Sequence, residues 1–288
     1  MNVFNDSNII VANWPRDKAV KNNWGDKLNR ELISKLSGLP VAHLKDVMGW
    51  EDRPVYRVIG SGLARMSPSD IIWGMGFIDA VTTPTKVAAQ FCAVRGPKTR
   101  KRLMDLGVSC PDVYGDPALL YPLLYRPDIE QIYDYGIILH CREAGVIEPV
   151  SIATNKKVLH IDIQAGIDEV VQNILSCKSI ISSSLHGIIC AHAYGVPAYW
   201  LKASSLPLGD DFKFLDYFES VGCHDVQPTT LDMSRFLKLG TLMEPSEPLV
   251  NGARLIDACP FMSIARKRAW KREMNRAKTA GHRGVIFH

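Results

Sequence analysis

Short apolar runs alternate with stretches in which apolar residues recur at helical spacing, and the alternation continues through most of the chain. The run Ile9, Ile10, Val11, Ala12 reads as a first buried strand. Asp26 is placed to cap a helix whose apolar positions Leu28, Leu32, Ile33 and Leu36 share one face, with Gly38 and Pro40 to end it. Further strands are predicted at residues 55–59, 71–73 and 91–94, followed by a helix over 99–106 that Gly107 stops. Strands return at 136–139, 158–163, 180–181 and 196–200. Between them Ile167, Val170, Val171 and Ile174 fall at i, i+3, i+4 and i+7, the stripe of an amphipathic helix. A short helix is predicted over 187–194. This alternation predicts an α/β protein with mostly parallel sheets. Pro117, Pro122 and Pro127 mark the stretch 118–134 as a linker between two such units, which could face each other across a cleft. No internal repeat or low-complexity segment is visible.

The chain has 288 residues, enough for two domains with their own cores. No apolar run approaches the 18 residues of a membrane span, and residues 1–14 lack the charged-then-apolar pattern of a secretory signal. The seven cysteines stand singly with no C-x-x-C pair, which argues against a zinc site and for reduced thiols in the cytoplasm. The net charge of +4 conceals an asymmetry. Between Arg266 and Arg283 eight Lys or Arg face the single Glu273, a local +7 that leaves −3 on the rest of the chain. Such a segment is either the solvated face of a terminal helix or an attachment to an anionic membrane surface. Trp270, Met274 and Ala277 form an apolar stripe within it that favours membrane contact. No nucleic-acid reader motif accompanies the charge, so no nucleic acid is expected as partner.

Candidate chemistry concentrates at Ser182-Ser183-Ser184-Leu185-His186-Gly187, a predicted strand-to-helix turn. Hydroxyls, backbone N–H groups and an imidazole gathered at a helix start suit an anionic ligand. The plainer alternative is a capping serine beside a core-lining histidine. Arg95 ends an apolar run and could grip a carboxylate or phosphate with its fork, or make a salt bridge. Lys213, between Phe212 and Phe214, could be a desolvated phosphate ligand or could snorkel from a helix. Gly60-Ser61-Gly62 and Gly74-Met75-Gly76 lack the third glycine of a dinucleotide loop, but they allow close backbone approach, which makes Ser61 and Gly62 cleft-lining candidates. Asp116, in a Gly-Asp-Pro turn, is expected to bond its own backbone. Asp210 and Asp211 have no companion acidic motif, so no metal is expected.

Five further stretches accompany the serine-histidine turn in order. They are Asn23-Trp24-Gly25-Asp26-Lys27-Leu28-Asn29, Trp73-Gly74-Met75-Gly76-Phe77, Val94-Arg95-Gly96-Pro97-Lys98-Thr99-Arg100, Tyr114-Gly115-Asp116-Pro117-Ala118, and Phe212-Lys213-Phe214 with Asp216-Tyr217-Phe218. Together, over roughly residues 20 to 222, the chain resembles the polysaccharide pyruvyltransferases, in particular their exopolysaccharide ketal branch. The resemblance implies a glycosyltransferase-B-like fold, two Rossmann-like domains facing a central cleft. They would comprise residues 1–125 on the acceptor side, 126–260 on the phosphoenolpyruvate side, and a basic helix or tail over 261–288.

The implied reaction moves a pyruvyl group from phosphoenolpyruvate to two hydroxyls of a sugar, with a lipid-linked saccharide as acceptor and no other cofactor. His186 becomes the acid or base, and Arg95 and Lys213 bind the donor's anionic groups. Ser183, Ser184, Leu185, Gly187, His140, Asn23, Gly25, Asp26, Ser61 and Gly62 would bind substrate, Ser183 and Ser184 completing the anion site and Asn23 or Asp26 contacting acceptor hydroxyls. The implied location is the cytoplasm, at the inner face of the plasma membrane. One departure stands out: relatives carry arginine immediately before Leu-His, where this chain has Ser184, so that cation is missing or comes from elsewhere. Two other classes remain open. One is a nucleotide-sugar glycosyltransferase, with Glu244 or Glu247 on the ribose; the other is a non-catalytic glycan-binding or assembly subunit.

Overall fold

The computed structural model describes residues 8–16, 23–146, 151–152, 155–231, 236–237, 242 and 248–287. Strands β1 (Ile10–Ala12), β2 (Val41–His43), β3 (Val55–Arg57), β4 (Asp70–Trp73) and β5 (Gln90–Ala93) form a parallel sheet in the order β2-β1-β3-β4-β5. Helices α1 (Trp24–Ser37) and α2 (Pro97–Asp105) belong to this unit. Next come β6 (Tyr133–Ile138), β7 (Ser151–Ile152), β8 (Val158–Ile161), β9 (Cys177–Ser182), β10 (Ala198–Lys202), β11 (Thr229–Thr230) and β12 (Phe236–Leu237). Five of them make a second parallel sheet, β11-β10-β9-β6-β8, carrying α3 (Ile167–Leu175), α4 (Leu185–Ala193) and α5 (Phe212–Ser220), while β7 pairs with β12. The α/β class with parallel sheets is as the alternation predicts.

Both five-stranded sheets have the same order when counted from their own first strand. The second strand lies to one side of the first, and the third, fourth and fifth lie in sequence to the other. No sequence repeat announces this equivalence. In such sheets the strand order reverses between the first and third strands, and the loops leaving the carboxyl ends of those two strands frame a crevice. The reversal falls between β1 and β3 and again between β6 and β9. Gly60-Ser61-Gly62 follows β3, His140 follows β6, and Ser183-Ser184 follows β9.

The helices form where periodicity predicts them, with two corrections. The cap of α1 is Asn23, whose side chain accepts from the Gly25 N–H; Asp26 sits inside the first turn. Gly38, at φ 74°, ends the helix in a left-handed conformation. The strand β2 went unpredicted because three residues are too few for a period. The expected linker is the larger correction. Residues Pro117–Leu123 form a 3-10 helix in which Leu119, Leu120 and Tyr121 are wholly buried. The Tyr121 hydroxyl donates to Glu31 of α1 and Asp168 of α3, at 2.8 and 3.0 Å. Proline spacing spoiled the α-helical pattern there, yet the segment is a wedge in a core continuous from α1 through α3 and α4.

The C-terminal segment returns to that core. Helices α6 (Gly252–Asp257) and α7 (Ile264–Thr279) precede a buried turn of Val285, Ile286 and Phe287. The Trp270-Met274-Ala277 stripe faces inward: Met274 and Ala277 are buried, and the indole N–H of Trp270 donates to Leu36 O at 3.2 Å. Arg266 donates to the carbonyls of Leu36 and Lys35, which end α1 without helical partners. The apolar half of the membrane-binding expectation therefore fails, because the stripe is used by the protein's own core. Among the described residues no helix is long and apolar enough to cross a membrane.

Candidate functional site

The two sequence motifs separated by most of the chain meet at His186. In the first turn of α4, its Nδ1 lies 2.6 Å from Asn23 Oδ1. That oxygen already accepts the Gly25 N–H, so it stays an acceptor and Nδ1 must carry the proton. The Nε2 atom is left with its lone pair and no partner among the described residues. Gly25 is required by this contact: a β-carbon there would stand 2.5 Å from three carbons of the imidazole. The Trp24 N–H and indole anchor the start of α1 to Ile163 O and Ile167 O of the second unit, at 3.0 and 3.3 Å. Burial, then Lys213, His140 and Arg95, push the His186 pKa down to about 3, so the ring is a neutral base near pH 7.

His140 has the complementary tautomer. Its Nδ1 accepts the Arg142 N–H at 3.1 Å, which leaves the proton on Nε2. Burial, then Lys213 and Arg142, lower its pKa to about 4. The backbone N–H of His140 donates to Glu143 and to Ser183 Oγ, both at 3.0 Å. Glu143 was not anticipated from sequence. Fully buried, it accepts a short hydrogen bond from Ser183 and another from Ser204 at 2.6 Å, fastening β6, β9 and the loop after β10 together. Its placement three residues beyond a strand-ending histidine was the available signal.

The cations divide into two kinds. Arg95 is wholly buried, and its Nε donates to Asp216 at 2.9 Å, Nη1 to Ser61 Oγ at 2.7 Å and Nη2 to Phe77 O at 2.6 Å. The guanidinium lies against Gly76, where a β-carbon would stand 2.5 Å from its central carbon. Asp216 also accepts from the Thr99 N–H and hydroxyl. The expected ligand-gripping fork is therefore an internal ion pair tying β5 to α5, and Ser61 is one of its partners. Lys213 is 6% exposed and, among the described residues, donates to Leu208 O alone, at 3.0 Å. Among the described residues no carboxylate stands within ion-pair distance of it. Burial, then Arg95, lower its pKa to about 8. It borders a recess of about 200 Å³, open to solvent, together with Glu143, Ser183, Ser204, Trp200 and Phe214.

At the start of α4 the Ser184 hydroxyl is buried at 1% exposure with no hydrogen-bond partner among the described residues, and it does not cap the helix. The first intrahelical bond runs from Ile188 N to Ser184 O, which leaves the N–H groups of Leu185, His186 and Gly187 without helical acceptors. Leu185 itself packs in the core, and Gly187 lets α4 approach Ser182 Oγ and Ile138. Gly62 lies beside Met75 and Arg57. Asp26, 6% exposed, has no hydrogen-bond donor among the described residues. Burial and the neighbouring Asp116 raise its pKa to about 8. Asp116 caps the 3-10 wedge by accepting the Ala118 N–H, as its turn predicts. Asp211 pairs with Lys202, and Asp210 accepts the Phe212 and Ala80 N–H groups. Glu244 and Glu247 lie outside the described residues.

The family model for polysaccharide pyruvyl transferases matches residues 85–205, a span that includes Arg95, His140 and the whole serine-histidine turn. The chain belongs to this family. A relative in Acanthamoeba polyphaga mimivirus, the uncharacterized protein L143, is 34% identical over 214 residues, covering 69% of this chain and 71% of its own. Within a pyruvyl transferase family the chemistry to be housed is transfer, and the members found together here are His186, Asn23, Gly25, Asp26, His140, Ser183, Ser184 and Lys213.

Proposed function

We propose that the protein transfers a pyruvyl group from phosphoenolpyruvate to two hydroxyls of a saccharide, forming a cyclic ketal and releasing phosphate. The observation that carries this reading is Lys213, a buried cation that lacks a carboxylate partner among the described residues and borders the same recess as Ser183. An uncompensated buried charge is costly, so it calls for an anionic ligand. The unbonded N–H groups at the start of α4 and the orphan Ser184 hydroxyl add donors for the same anion. Lys213 supplies the cation that Ser184 cannot, and Arg95 contributes positive potential from within its ion pair.

His186 Nε2, held as a lone pair by the Asn23 bond, would accept a proton from an attacking sugar hydroxyl. In this reading the two units are the halves of a glycosyltransferase-B-like arrangement, with donor and acceptor between them. The acceptor is a lipid-linked saccharide, and the exposed cations of α7 hold the enzyme near an anionic membrane surface.

The test is phosphate release from phosphoenolpyruvate across a panel of lipid-linked oligosaccharides, with thermal shifts for phosphoenolpyruvate, UDP-sugars and GDP-sugars alongside. Acceptor-dependent release and a raised midpoint with phosphoenolpyruvate are expected. Stabilisation by a nucleotide sugar and not by phosphoenolpyruvate would overturn the reading in favour of a glycosyltransferase.

A further inference from the structure

We propose that Asp26 is the general acid of the transfer, giving its carboxyl proton to the methylene carbon of the donor, while His186 takes the proton of the first attacking hydroxyl. The proposal rests on the pyruvyl-transfer reading above. Ketal formation needs both functions at once: a proton must reach the methylene carbon, and hydroxyl protons must be removed. A neutral imidazole with its proton held on Nδ1 has none on Nε2 to give the methylene carbon before a hydroxyl has been deprotonated.

Asp26 is one residue beyond Gly25, on which the His186 ring rests. Its Oδ1 lies 3.9 Å from where a Gly60 β-carbon would be, so the carboxyl sits between the loops leaving β1 and β3, at the strand-order reversal of the first sheet. The groups that act on it electrostatically are Asp116 on the wedge and the Cys141 thiol after β6. Neither is a cation. Arg95, the nearest strong cation to Asp116, is committed to Asp216. A carboxylate in the first turn of a helix is normally favoured by the helix dipole. Here burial and a second carboxyl work against the charge and outweigh the dipole, so the group holds a proton at neutral pH. It also accepts no hydrogen bond from the described residues, and its oxygens are not among the fully enclosed atoms, so the carboxyl stays open to a substrate. Two groups pushed in opposite directions, an imidazole kept neutral and a carboxyl kept protonated, divide base from acid.

The steps balance. The Asp26 proton bonds to the methylene carbon as the enol double bond opens, leaving an oxocarbenium centre at the adjacent carbon. The first sugar hydroxyl adds there and its proton passes to His186 Nε2. The carbon–oxygen bond to phosphate then breaks with its electron pair going to phosphate, which takes the proton from His186. The second hydroxyl adds to the same carbon, and its proton returns to the Asp26 carboxylate.

Asp26→Asn tests this, because the amide copies a neutral carboxyl in shape without a transferable proton. Expected is a fall in kcat of about a hundred- to ten-thousandfold, with a thermal midpoint at pH 6 at or above that of wild type and a retained midpoint rise with phosphoenolpyruvate. Asp26→Glu should recover part of kcat. A folded Asp26→Asn that keeps more than a tenth of wild-type kcat overturns the proposal and leaves pyruvyl transfer standing. So does one whose donor binding falls in step with kcat, which would make Asp26 a positioning residue. A wild type that neither binds nor consumes phosphoenolpyruvate overturns both.

Discussion

The carboxyl end of β5 and the turn after β9 each bring a positively disposed side chain into the interior, and they treat it in opposite ways. Arg95, beyond β5, has Asp216, Ser61 and Phe77 O as partners for its three nitrogens. At the turn after β9, whose Ser183 borders the same recess as Lys213 of α5, polar capacity is left over among the described residues: His186 Nε2 is free, Ser184 Oγ is orphaned, and Lys213 has one carbonyl. Buried polar groups in a folded chain are almost always paired. A region where pairing is complete is built for stability, and one where several groups fall short together is built to receive something. Charge alone does not separate the two, since both ends carry a buried cation.

The strongest test of the contrast is His186→Asn. If the unpaired side is the working side, turnover should fall by about a hundred- to ten-thousandfold, while thermal stability and phosphoenolpyruvate binding change little. A folded variant above about a tenth of wild-type turnover would remove proton transfer from His186, on the same scale.

Next in size are the two cations. Arg95→Ala or Asp216→Asn leaves a buried charge uncompensated and should cost about 3–5 kcal/mol in urea denaturation. Lys213→Met removes a charge that has no ion-pair partner among the described residues, so stability should hold or rise while the phosphoenolpyruvate-induced shift disappears. If Lys213→Met were as destabilising as Arg95→Ala, the distinction between the two ends would collapse.

How much of this was legible beforehand depends on range. The helices α1 and α3 were readable because their apolar stripes are local, and the turn after β9 was readable because hydroxyls, histidine and glycine lie together. The Asn23–His186 bond spans 163 positions and the Arg95–Asp216 pair 121, so no spacing rule could reveal either. Arg95 was therefore assigned a ligand where it has a partner. The wedge over Pro117–Leu123 was misread because proline hides burial from a helical pattern, and the inward face of α7 because a cationic helix looks solvated on both sides. Glu143 was missed as an isolated acid whose three partners come from three loops.

The pH dependence of stability sharpens the comparison with a smaller effect. The His186 pKa in the fold, about 3 against 6.5, means the unfolded chain takes up a proton that the native one refuses. Stability from this group is full above 6.5 and is lost as pH falls toward 3. Asp26, raised from 3.8 to about 8, works at the other end: its contribution is full below 3.8 and is lost as pH rises through 8. Relative to wild type, His186→Asn should gain midpoint as pH falls below 6.5, and Asp26→Asn as pH rises above 3.8. Parallel midpoint–pH curves for wild type and both variants would remove this account of the unpaired side.

The smallest expected effect belongs to the exposed cations of α7, which lie far from either strand end in function. Arg268, Arg272, Arg276 and Lys278 face solvent, whereas Arg266, Lys267 and Lys271 bind α1 and Asp257. Deleting the segment would expose Met274, Ala277, Val285, Ile286 and Phe287, all part of the core, and would report unfolding and not attachment. Charge reversal avoids this. Arg268→Glu with Arg272→Glu should change stability by no more than about 0.5 kcal/mol per site and leave turnover on a soluble acceptor intact. If these charges attract an anionic surface, the double variant should lose co-sedimentation with anionic liposomes at low salt, and wild type should lose it at high salt. Equal pelleting of both proteins at low salt would reduce the basic face to a solvated one.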